Sequence, residues 1–559
     1  MSEEKPRPHP AWALLIPALV FLIYANSLGN GFHFDDFNSI VDNPAIKTLR
    51  EIPRFFQDST AFSTKAGNWP YRPLLLLANA LNYAAARLSL PAWHLVNLAL
   101  HALNALLVFL VAAAVFRLRA GAVAAGLIFA IHPLNSQAVN YFSARATLLA
   151  TALVLAAFLA QAQARTRREQ GRSPKGWALA ATGLFAFGML AKEEAALFVP
   201  LAFFIEMLPV RAPGSQAAPS ALSFPPLQRI TWLLPSAFIL ALFLGLRLHF
   251  HGALLAAGSA DMTPIYSRLQ SALTEFISPW LYLRRFLWPN DLSVFPGVTP
   301  PASILSMPML LAAAGYGLVG WLLFWARSRP ALGVGVLWYL LGLLPAMALA
   351  LNVLIAEHHC YLALAGLTIA LGSGLEGIVR APSATTASAG RYSFAAFLLG
   401  LAFLTFVRNP VWKDEITLWR DAVRKAPDQY VAQSFLGAAY AKAQRFDLAR
   451  QRLQIAVRLR PDFADAHNTL ALAYLRQGKV DEAETQIREA LRLHPNNLTY
   501  LNNLGVMLMI RERWPEADAV FDQVLEIDPD NGPARDYREQ VLEKLSPRKS
   551  RTPLSEPEK

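Results

Sequence analysis

Two adjacent carboxylates follow closely on the first long apolar stretch of the chain, in the run Phe32-His33-Phe34-Asp35-Asp36. Neighbouring carboxylates repel each other and lose hydration at a membrane surface, so such a pair is retained where a base, a metal site or a capping turn needs it. A carboxylate in this position can deprotonate an incoming hydroxyl group. From these two residues alone, catalysis and the capping of a turn are equally good interpretations.

Further polar residues lie where other apolar stretches end. They are Trp69-Pro70-Tyr71-Arg72-Pro73, His132-Pro133, Arg145, Lys192-Glu193-Glu194, Asp291 and Glu357-His358-His359 with Tyr361. Each of them alone is more typical of an interfacial anchor or a snorkelling charge than of a site. Together with the acidic pair on one face of a membrane, they predict chemistry on an anionic lipid headgroup. Arg, Lys and His side chains bind phosphate and stabilise a leaving group as its charge develops.

A row of polar residues also runs through one of the apolar stretches. His94, Asn97, His101 and Asn104 are spaced so that they share one stripe of a helix. Such a stripe must face protein or a water-filled cavity rather than lipid. Hydrogen bonds between helices are the preferred interpretation of this stripe, and a wet cavity is the alternative.

The composition favours a membrane protein and argues against nucleic-acid binding. Hydrophobic residues make up 54% of the chain and charged residues 16%, whereas soluble domains carry about a quarter charged residues. The net charge of +12 falls in short clusters between apolar runs and forms no basic face. There is no Walker loop, no dinucleotide-type glycine pattern and no HExxH motif, and the single cysteine, Cys360, excludes an internal disulfide.

Long apolar runs up to residue 408 predict a bundle of about 11 membrane-spanning helices. The predicted spans are 11–29, 93–116, 120–133, 146–163, 176–191, 194–209, 231–249, 308–326, 331–355, 359–379 and 392–408. With a cytoplasmic N-terminus, the basic loops face the cytoplasm as the positive-inside rule requires, and the loop 30–92 faces outward. The interrupted apolar segments 72–88 and 268–288 are predicted as helices on the outer surface.

The chain after the last apolar run is charged and periodic. Residues 430–463, 464–497 and 498–531 align without a gap at a period of 34 residues. The recurring residues are Pro427, Pro461, Pro495 and Pro529, then Leu436, Leu470 and Leu504, then Ala449, Ala483 and Ala517. Small residues at helix crossings and proline at the repeat boundary indicate tetratricopeptide repeats (TPR). Such an array presents a concave surface to peptides or partner helices, and a structural spacer without a ligand is the alternative.

These patterns predict an all-α chain, a polytopic membrane helix bundle followed by a TPR α-solenoid. The predicted parts are a cytoplasmic N-terminus 1–10, a membrane domain 11–408, a linker with a degenerate TPR helix 409–429, three repeats 430–541 and a tail 542–559. The tail is predicted to be disordered because it is rich in proline, serine and mixed charge.

Eight short motifs follow one another along the chain: FHFDD, DNPAIK, YRPL, HPLNSQAV, ARATLLA, AKEEA, LWPNDLS and AEHHCYLALAG. In this order, and with the TPR tail, the chain resembles the transmembrane-and-TPR O-mannosyltransferases and their bacterial relatives. These are glycosyltransferases of the GT-C type that are related to the protein O-mannosyltransferases. The resemblance covers essentially the whole chain. It implies a GT-C membrane domain and inverting transfer of a sugar, often mannose, from a polyprenyl-phosphate donor to a Ser or Thr hydroxyl of a protein.

The resemblance also implies roles for individual residues. The catalytic base maps onto Asp35 or Asp36. The residues expected to bind the donor phosphate are Arg72, His132, Arg145, Lys192 and His358. The residues expected to hold the acceptor or support the site are Glu193, Glu357 and Tyr361. The transfer in this family needs no cofactor and no metal ion, although Asp35 and Asp36 could hold a metal ion together with water.

Three departures from the family pattern concern the donor sugar and the acceptor more than the reaction class. Gln137 stands where relatives usually have an acid, and so does Thr147. The run His358-His359-Cys360 stands where an arginine is common.

Two other functions fit the same residues. One is a non-enzymatic membrane scaffold whose TPR array recruits partners, and the other is a lipid-linked-sugar transferase that acts on a glycan or lipid acceptor. The main interpretation implies a lipid-linked donor, a protein acceptor held by the repeats, surrounding membrane lipid and no nucleic acid. It places the active site and the repeats on the periplasmic or lumenal side of the membrane. The Ala- and Leu-rich composition favours a bacterial inner membrane.

Overall fold

The computed structural model of the protein describes residues 11–64, 70–208, 227–251, 267–325, 329–347, 355–379 and 384–546. The described residues form helices joined by turns and short connections, and they contain no strand. They divide into two compact units, residues 1–414 and 415–559. The predicted cytoplasmic N-terminus, the tail after residue 546 and Trp69 lie outside the described residues.

Thirteen longer helices make up the described part of the first unit. They are α1 (Trp12–Ile23), α2 (Pro73–Ala86), α3 (Leu90–Ala114), α4 (Ala120–Ile131), α5 (Arg145–Glu169), α6 (Lys175–Ala191), α7 (Phe198–Glu206), α8 (Leu234–His251), α9 (Arg268–Leu287), α10 (Met307–Trp325), α11 (Pro330–Met347), α12 (Tyr361–Val379) and α13 (Ala384–Arg408). Each predicted span overlaps one of these helices, and residues 348–354 of the span 331–355 lie outside the described residues. The interrupted segments 72–88 and 268–288 are helical as well, and their position on the outer surface stays a prediction.

Four helical segments are long and apolar enough to cross a membrane by themselves. They are Leu90–Ala114, Phe142–Glu169, Met307–Trp325 and Ser388–Trp412. A fifth span results if Ala120–Ile131 and Pro133–Asn140, which are bent by 49° at the break between them, are counted as one. Other apolar helices of this unit, such as Trp12–Ser27 and Lys175–Ala191, are shorter than a single crossing needs. The described residues therefore support a helical membrane domain, while the number of eleven spans stays a prediction.

Two glycines allow α4 and α12 to pack backbone against backbone. A Cβ atom added to Gly121 would collide with the carbonyl oxygen of Gly372, and a Cβ atom added to Gly372 would collide with the carbonyl oxygen of Gly121. Helix interfaces in membranes use small residues in this way, since close approach replaces the missing hydrophobic driving force with van der Waals contact.

Replacing Gly372 by alanine is expected to destabilise the first unit, because neither backbone can yield without separating the two helices. Overpacking of this kind costs about 1–3 kcal/mol. Gly374 is the matched control on the same helix, because a Cβ atom there meets nothing within 4 Å. Gly374→Ala is expected to leave stability unchanged or to raise it through helix propensity. Thermal unfolding of the purified variants in detergent measures both effects, and equal unfolding midpoints would contradict the prediction.

The second unit repeats a pair of helices every 34 residues. Its helices are α14 (Glu415–Lys425), α15 (Tyr430–Lys442), α16 (Phe446–Leu459), α17 (Ala464–Arg476), α18 (Val480–Leu493), α19 (Leu498–Ile510), α20 (Trp514–Ile527) and α21 (Gly532–Leu545). The three repeats predicted from the sequence are confirmed, because each begins with a helix at the expected residue. Helix α14 occupies the place predicted for a degenerate leading helix, and its Trp419 ring stacks on Phe435 with 4.6 Å between centroids.

The last helix of the second unit extends past the predicted end of the repeats. Residue 541, where the repeats were predicted to end, lies within α21, which continues to Leu545. Ala534 and Val541 of this helix are buried, and the Tyr537 ring stacks on Phe521 of α20 at 5.7 Å. The helix therefore covers the apolar side of the last repeat, which a repeat array needs at its end.

Candidate functional site

The acidic pair lies in a tight turn before a short helical segment, and its two carboxylates have different surroundings. Phe34 adopts a positive φ of 48°, which is uncommon for a residue with a bulky side chain. Asp36 is fully buried and accepts hydrogen bonds from the backbone N–H of His33 at 3.0 Å and from the backbone N–H and hydroxyl of Ser143 at 2.8 and 2.6 Å. Asp36 thus ties the loop after α1 to the turn before α5, as a capping residue does.

Burial raises the pKa of Asp36 to about 6 from the ordinary 3.8, against the opposing effect of its hydrogen bonds with Ser143 and His33. The folded protein therefore binds this proton more tightly than the unfolded chain. The resulting stabilisation is complete below pH 3.8 and is lost as the pH rises through about 6.

Asp36→Asn is expected to remove this pH dependence, because asparagine is neutral throughout. Between pH 5 and pH 7 the wild type should lose about 1.3 kcal/mol of unfolding free energy relative to the variant. The difference between the two thermal unfolding curves across this range measures the effect, since the other titrating groups are common to both proteins. A difference that is constant with pH would show that Asp36 does not titrate there.

Asp35 is exposed, in contrast to its neighbour. Its carboxylate accepts a hydrogen bond from the Tyr141 hydroxyl at 3.2 Å. The two carboxylates therefore differ in accessibility and in partners, and a catalytic role for either stays a prediction. Asp36 is engaged in holding the loop, and Asp35 is the carboxylate that an incoming hydroxyl can reach.

Tyr141 was not recognised as a site residue from the sequence, although it lies between the HPLNSQAV and ARATLLA motifs. Its ring stacks on Trp412 with centroids 6.3 Å apart and meets the His358 ring edge-on at 6.0 Å. Because its hydroxyl also binds Asp35, Tyr141 connects the acidic turn with the Glu357–Cys360 turn.

The Glu357–Cys360 turn presents His358 as a neutral group. The backbone N–H of His358 donates to the side-chain oxygen of Gln137 at 2.9 Å, so this departure from the family pattern caps the turn. Burial, together with the nearby His359, Lys192 and Arg72, holds the pKa of His358 well below its usual range. At neutral pH His358 can therefore offer a hydrogen bond to a phosphate but no positive charge.

The cations at the site are Lys192 and Arg72. Lys192 is buried, donates to the Thr147 hydroxyl at 2.8 Å and forms an ion pair with Glu194. Arg72 forms an ion pair with Glu193 at 3.0 Å, with both side chains mostly buried. The adjacent acids Glu193 and Glu194 thus hold one cation each.

Three buried polar atoms in this group have no hydrogen-bond partner among the described residues. They are Nε of Arg72, the second carboxylate oxygen of Glu194 and Nδ1 of His358. Buried polar groups are nearly always paired in folded proteins, so unpaired ones that gather in one place mark a site for a polar ligand or water.

Two of the residues predicted to bind phosphate are occupied by the protein itself. Arg145 is fully buried, and its guanidinium group donates to Asn97 at 2.8 Å, to Asn79 at 3.0 Å and to the Trp93 carbonyl at 3.1 Å. This arrangement ties the start of α5 to α2 and α3. The structure thus gives Arg145 a packing role, and its phosphate contact stays a prediction.

His132 likewise uses both ring nitrogens. Its Nδ1 accepts from the backbone N–H of Leu134 at 3.2 Å, and its Nε2 donates to the Phe286 carbonyl at 2.9 Å. The ring also stacks on Phe286 at 4.5 Å. His132 therefore attaches α9 to the turn after α4.

The polar stripe on α3 makes hydrogen bonds between helices, as preferred from the sequence. The stripe's contacts are His94 to the Asn30 carbonyl, Asn97 to the Val139 carbonyl, His101 to the Ala130 carbonyl and Asn104 to the Leu148 carbonyl. Tyr361 joins this stripe, because its hydroxyl donates to Nδ1 of His101 at 2.6 Å. Its described contacts thus lie inside the bundle. Glu357 is buried with its carboxylate 3.7 Å from the Arg408 guanidinium.

The structure therefore brings together Asp35, Tyr141 and His358 with the two ion pairs Arg72–Glu193 and Lys192–Glu194. Within the described ranges, no three His, Cys, Asp or Glu side chains are arranged to hold a metal ion. The expectation that transfer needs no metal ion stays a prediction.

Comparison with known families identifies the second unit. A tetratricopeptide repeat family model matches residues 436–497 and 468–532. Solved structures that resemble this part include the TPR domain of Arabidopsis OM64, with 21% identity, a TM-score of 0.20 and coverage of 21% of this chain and 95% of that one. Another is a thermophilic TPR protein of Thermus thermophilus, TTC0263, with 17% identity, a TM-score of 0.22 and coverage of 28% and 80%.

Comparison with whole proteins concerns the membrane part as well. Protein O-mannosyl-transferase Tmtc1 of Drosophila melanogaster is 33% identical over 183 residues, 32% of this chain and 21% of that protein. Human protein O-mannosyl-transferase TMTC3 is 35% identical over 154 residues, 27% of this chain and 17% of that protein. Mouse protein O-mannosyl-transferase TMTC4 is 25% identical over 479 residues, 75% and 62% of the two chains. The match spans less than two thirds of the length of each relative.

The fold and these matches define a helical membrane protein with a C-terminal TPR array. More particularly, the chain is similar to proteins named protein O-mannosyl-transferase, in agreement with the resemblance that its motifs carry. Its bacterial origin stays a prediction.

Proposed function

We propose that this protein transfers a sugar, mannose in the first instance, from a polyprenyl-phosphate donor to a Ser or Thr hydroxyl of a protein on the outer face of the membrane. The observation that carries the proposal is an exposed carboxylate, Asp35, joined through Tyr141 to the turn that holds His358. Two cations, the buried Lys192 and the partly exposed Arg72, and unpaired polar atoms of Arg72, Glu194 and His358 suit a phosphate. The similarity to protein O-mannosyl-transferases supports the same reaction class.

The proposed step is a single displacement at the anomeric carbon. The acceptor hydroxyl gives its proton to Asp35 as its oxygen attacks the anomeric carbon from the side opposite the phosphate. The bond between that carbon and the phosphate oxygen breaks, and the polyprenyl phosphate departs with the electron pair. Lys192 and Arg72 stabilise the charge that develops on the phosphate, while His358 donates a hydrogen bond. One bond forms as one breaks, so the configuration of the sugar is inverted.

The TPR unit is proposed to hold the acceptor protein. This unit begins at Glu415, directly after the first unit, so the proposed catalytic residues and the surface proposed to bind the acceptor belong to one chain. Binding of the acceptor to the repeats raises its effective concentration at the site without any additional contact at the reacting hydroxyl.

Removal of residues 430–541 tests this role of the repeats. We expect a higher acceptor KM and an unchanged affinity for the donor, because only the binding of the protein acceptor is lost. Transfer to a short Ser-containing peptide serves as the control, since a peptide confined to the active site gains nothing from the repeats. Unchanged acceptor kinetics after the deletion would reject the role.

The reaction itself is tested with a radiolabelled polyprenyl-phosphate mannose in membranes that contain the protein, with Asp35→Asn as the matched inactive control. The expected result is label on Ser or Thr of a protein, released by alkaline elimination, with the anomeric configuration opposite to that of the donor. Label in a glycan or lipid fraction would favour the alternative acceptor class. Transfer that is equal in the wild type and the variant, or absent with every lipid-linked sugar, would favour the scaffold.

A further inference from the structure

A buried arginine near the proposed site lacks the partners that a buried cation needs. Arg285, near the end of α9, is 4% exposed. Within the described part of the chain, its Nε and Nη1 atoms have no hydrogen-bond acceptor. The carboxylate of Asp291 forms a long ion pair with Arg285, 3.8 Å from Nε, which is beyond hydrogen-bond distance.

Asp291 does not need Arg285 as its counter-ion. The neighbouring Arg284 already pairs with this carboxylate at 3.1 Å, and both side chains of that pair are partly exposed to solvent. Two arginines thus face one aspartate, so the LWPNDLS segment and the end of α9 together carry an excess positive charge. The excess is buried on Arg285.

Helix α9 is attached directly to the turn that carries His358. The Tyr282 hydroxyl donates to the carbonyl of Ala356 at 2.9 Å, one residue before that turn begins. Arg285 follows Tyr282 by three residues, which places both on the same side of the helix. Arg285 therefore lies on the side of α9 that faces this turn.

An unpaired buried charge costs several kcal/mol, and a protein keeps one where a ligand supplies the missing partner. A guanidinium group has its donors in a planar fork that matches two oxygens of a phosphate. Arg145, which the sequence placed at the phosphate, has its donors occupied by Asn79, Asn97 and Trp93. Arg285 therefore has donors available for a phosphate, whereas the donors of Arg145 are taken up by hydrogen bonds within the protein.

We propose that Arg285 is a phosphate-binding residue of the donor site, which contacts the phosphate group of the polyprenyl-phosphate sugar. This proposal rests on the proposed function for the identity of the ligand.

The test compares Arg285→Gln with Arg284→Gln. The second variant removes the same charge from the neighbouring residue, whose side chain is exposed. The probes are a polyprenyl phosphate without a sugar and the neutral polyprenol of the same length, added to the purified full-length protein in detergent. Arg285→Gln is expected to weaken binding of the polyprenyl phosphate by about tenfold to a hundredfold. This is the change in affinity that corresponds to the loss of hydrogen bonds to a charged group. Binding of the polyprenol should not change, and Arg284→Gln should behave as the wild type.

A second measurement separates binding from structure. Because Arg285 is a buried charge whose Nε and Nη1 atoms make no hydrogen bond in the absence of a ligand, Arg285→Gln is expected to keep or raise the thermal unfolding midpoint without lipid. It is also expected to abolish the increase that polyprenyl phosphate produces in the wild type. If Arg285→Gln does not fold, Arg285→Lys decides, because it keeps the charge but loses the fork and should still weaken phosphate binding. Equal phosphate affinity in the wild type and the variants would overturn the proposal.

The outcomes also distinguish this proposal from the proposed function. If the wild type binds polyprenyl phosphate through Arg285 but transfers no sugar to any protein, the phosphate site stands and the acceptor reaction is rejected. If the wild type transfers mannose and Arg285→Gln binds and transfers equally well, the function stands and the role of Arg285 is rejected.

Discussion

Replacing Asp35 by asparagine is expected to reduce sugar transfer by about 10²–10⁴-fold, the usual cost of losing a general base. Asparagine has nearly the same shape and keeps an oxygen that can accept from the Tyr141 hydroxyl, so the turn should remain intact. The loss should appear in kcat, because the proton leaves the acceptor only as the reaction proceeds. Radiolabel transfer at several acceptor concentrations measures kcat and KM separately.

Asp36→Asn is the matched control, since it makes the same change one residue away. Its amide oxygen can still accept both hydrogen bonds from Ser143, whereas the bond from the His33 N–H is lost. The expected result is a far smaller loss of transfer than in Asp35→Asn, after correction for the amount of folded protein. If Asp36→Asn were the inactive variant and Asp35→Asn remained active, the roles assigned to the two acids would have to be exchanged.

Replacing Arg145 by alanine is expected to destabilise the first unit by about 3–5 kcal/mol, as for the breaking of a buried charged network. The substitution leaves the side-chain oxygens of Asn79 and Asn97 and the carbonyl of Trp93 without their donor in the interior. It also removes the guanidinium group from the face of the Trp93 ring, 4.6 Å from its centroid. Thermal unfolding in detergent and the yield of folded protein measure this loss.

Arg72→Ala is the comparison that separates packing from phosphate binding. Arg72 lies at the start of α2 and pairs with Glu193, and the two side chains are 18% and 17% exposed, so its removal should cost less stability than that of the fully buried Arg145. It should instead weaken binding of polyprenyl phosphate. A variant of Arg145 that folds normally but no longer binds polyprenyl phosphate would restore the role that the sequence assigned to it.

The repeat unit could be predicted almost completely from the sequence. Its period of 34 residues is visible in residues such as Gly437 and Gly505, and a Cβ atom on either would collide with a side chain of the partner helix, Leu453 or Phe521. Each repeat contacts mainly its neighbours, so local sequence carries the fold. The exact end of the array is less visible in the sequence, because α21 has a polar composition and is stabilised by packing on α20.

The positions of the membrane helices could also be predicted, because an apolar run that must satisfy its backbone in lipid can only be a helix. The lengths of these helices were harder to predict from the sequence. Several apolar runs are shorter than one crossing, as for Phe198–Glu206, and only packing decides how such helices are used.

The sequence by itself determined which residue types are available for chemistry: the acidic pair, the Lys192 and Arg72 cations and the histidine turn, each in a short motif. The tertiary structure decided how these groups are used, because the role of a charged side chain depends on partners that are distant in the chain. Asp36 meets Ser143 and is engaged, while its neighbour Asp35 stays exposed. Arg145 donates hydrogen bonds to Asn79 and Asn97. Arg285, which belongs to none of the motifs, is buried and its Nε and Nη1 atoms have no hydrogen-bond acceptor among the described residues.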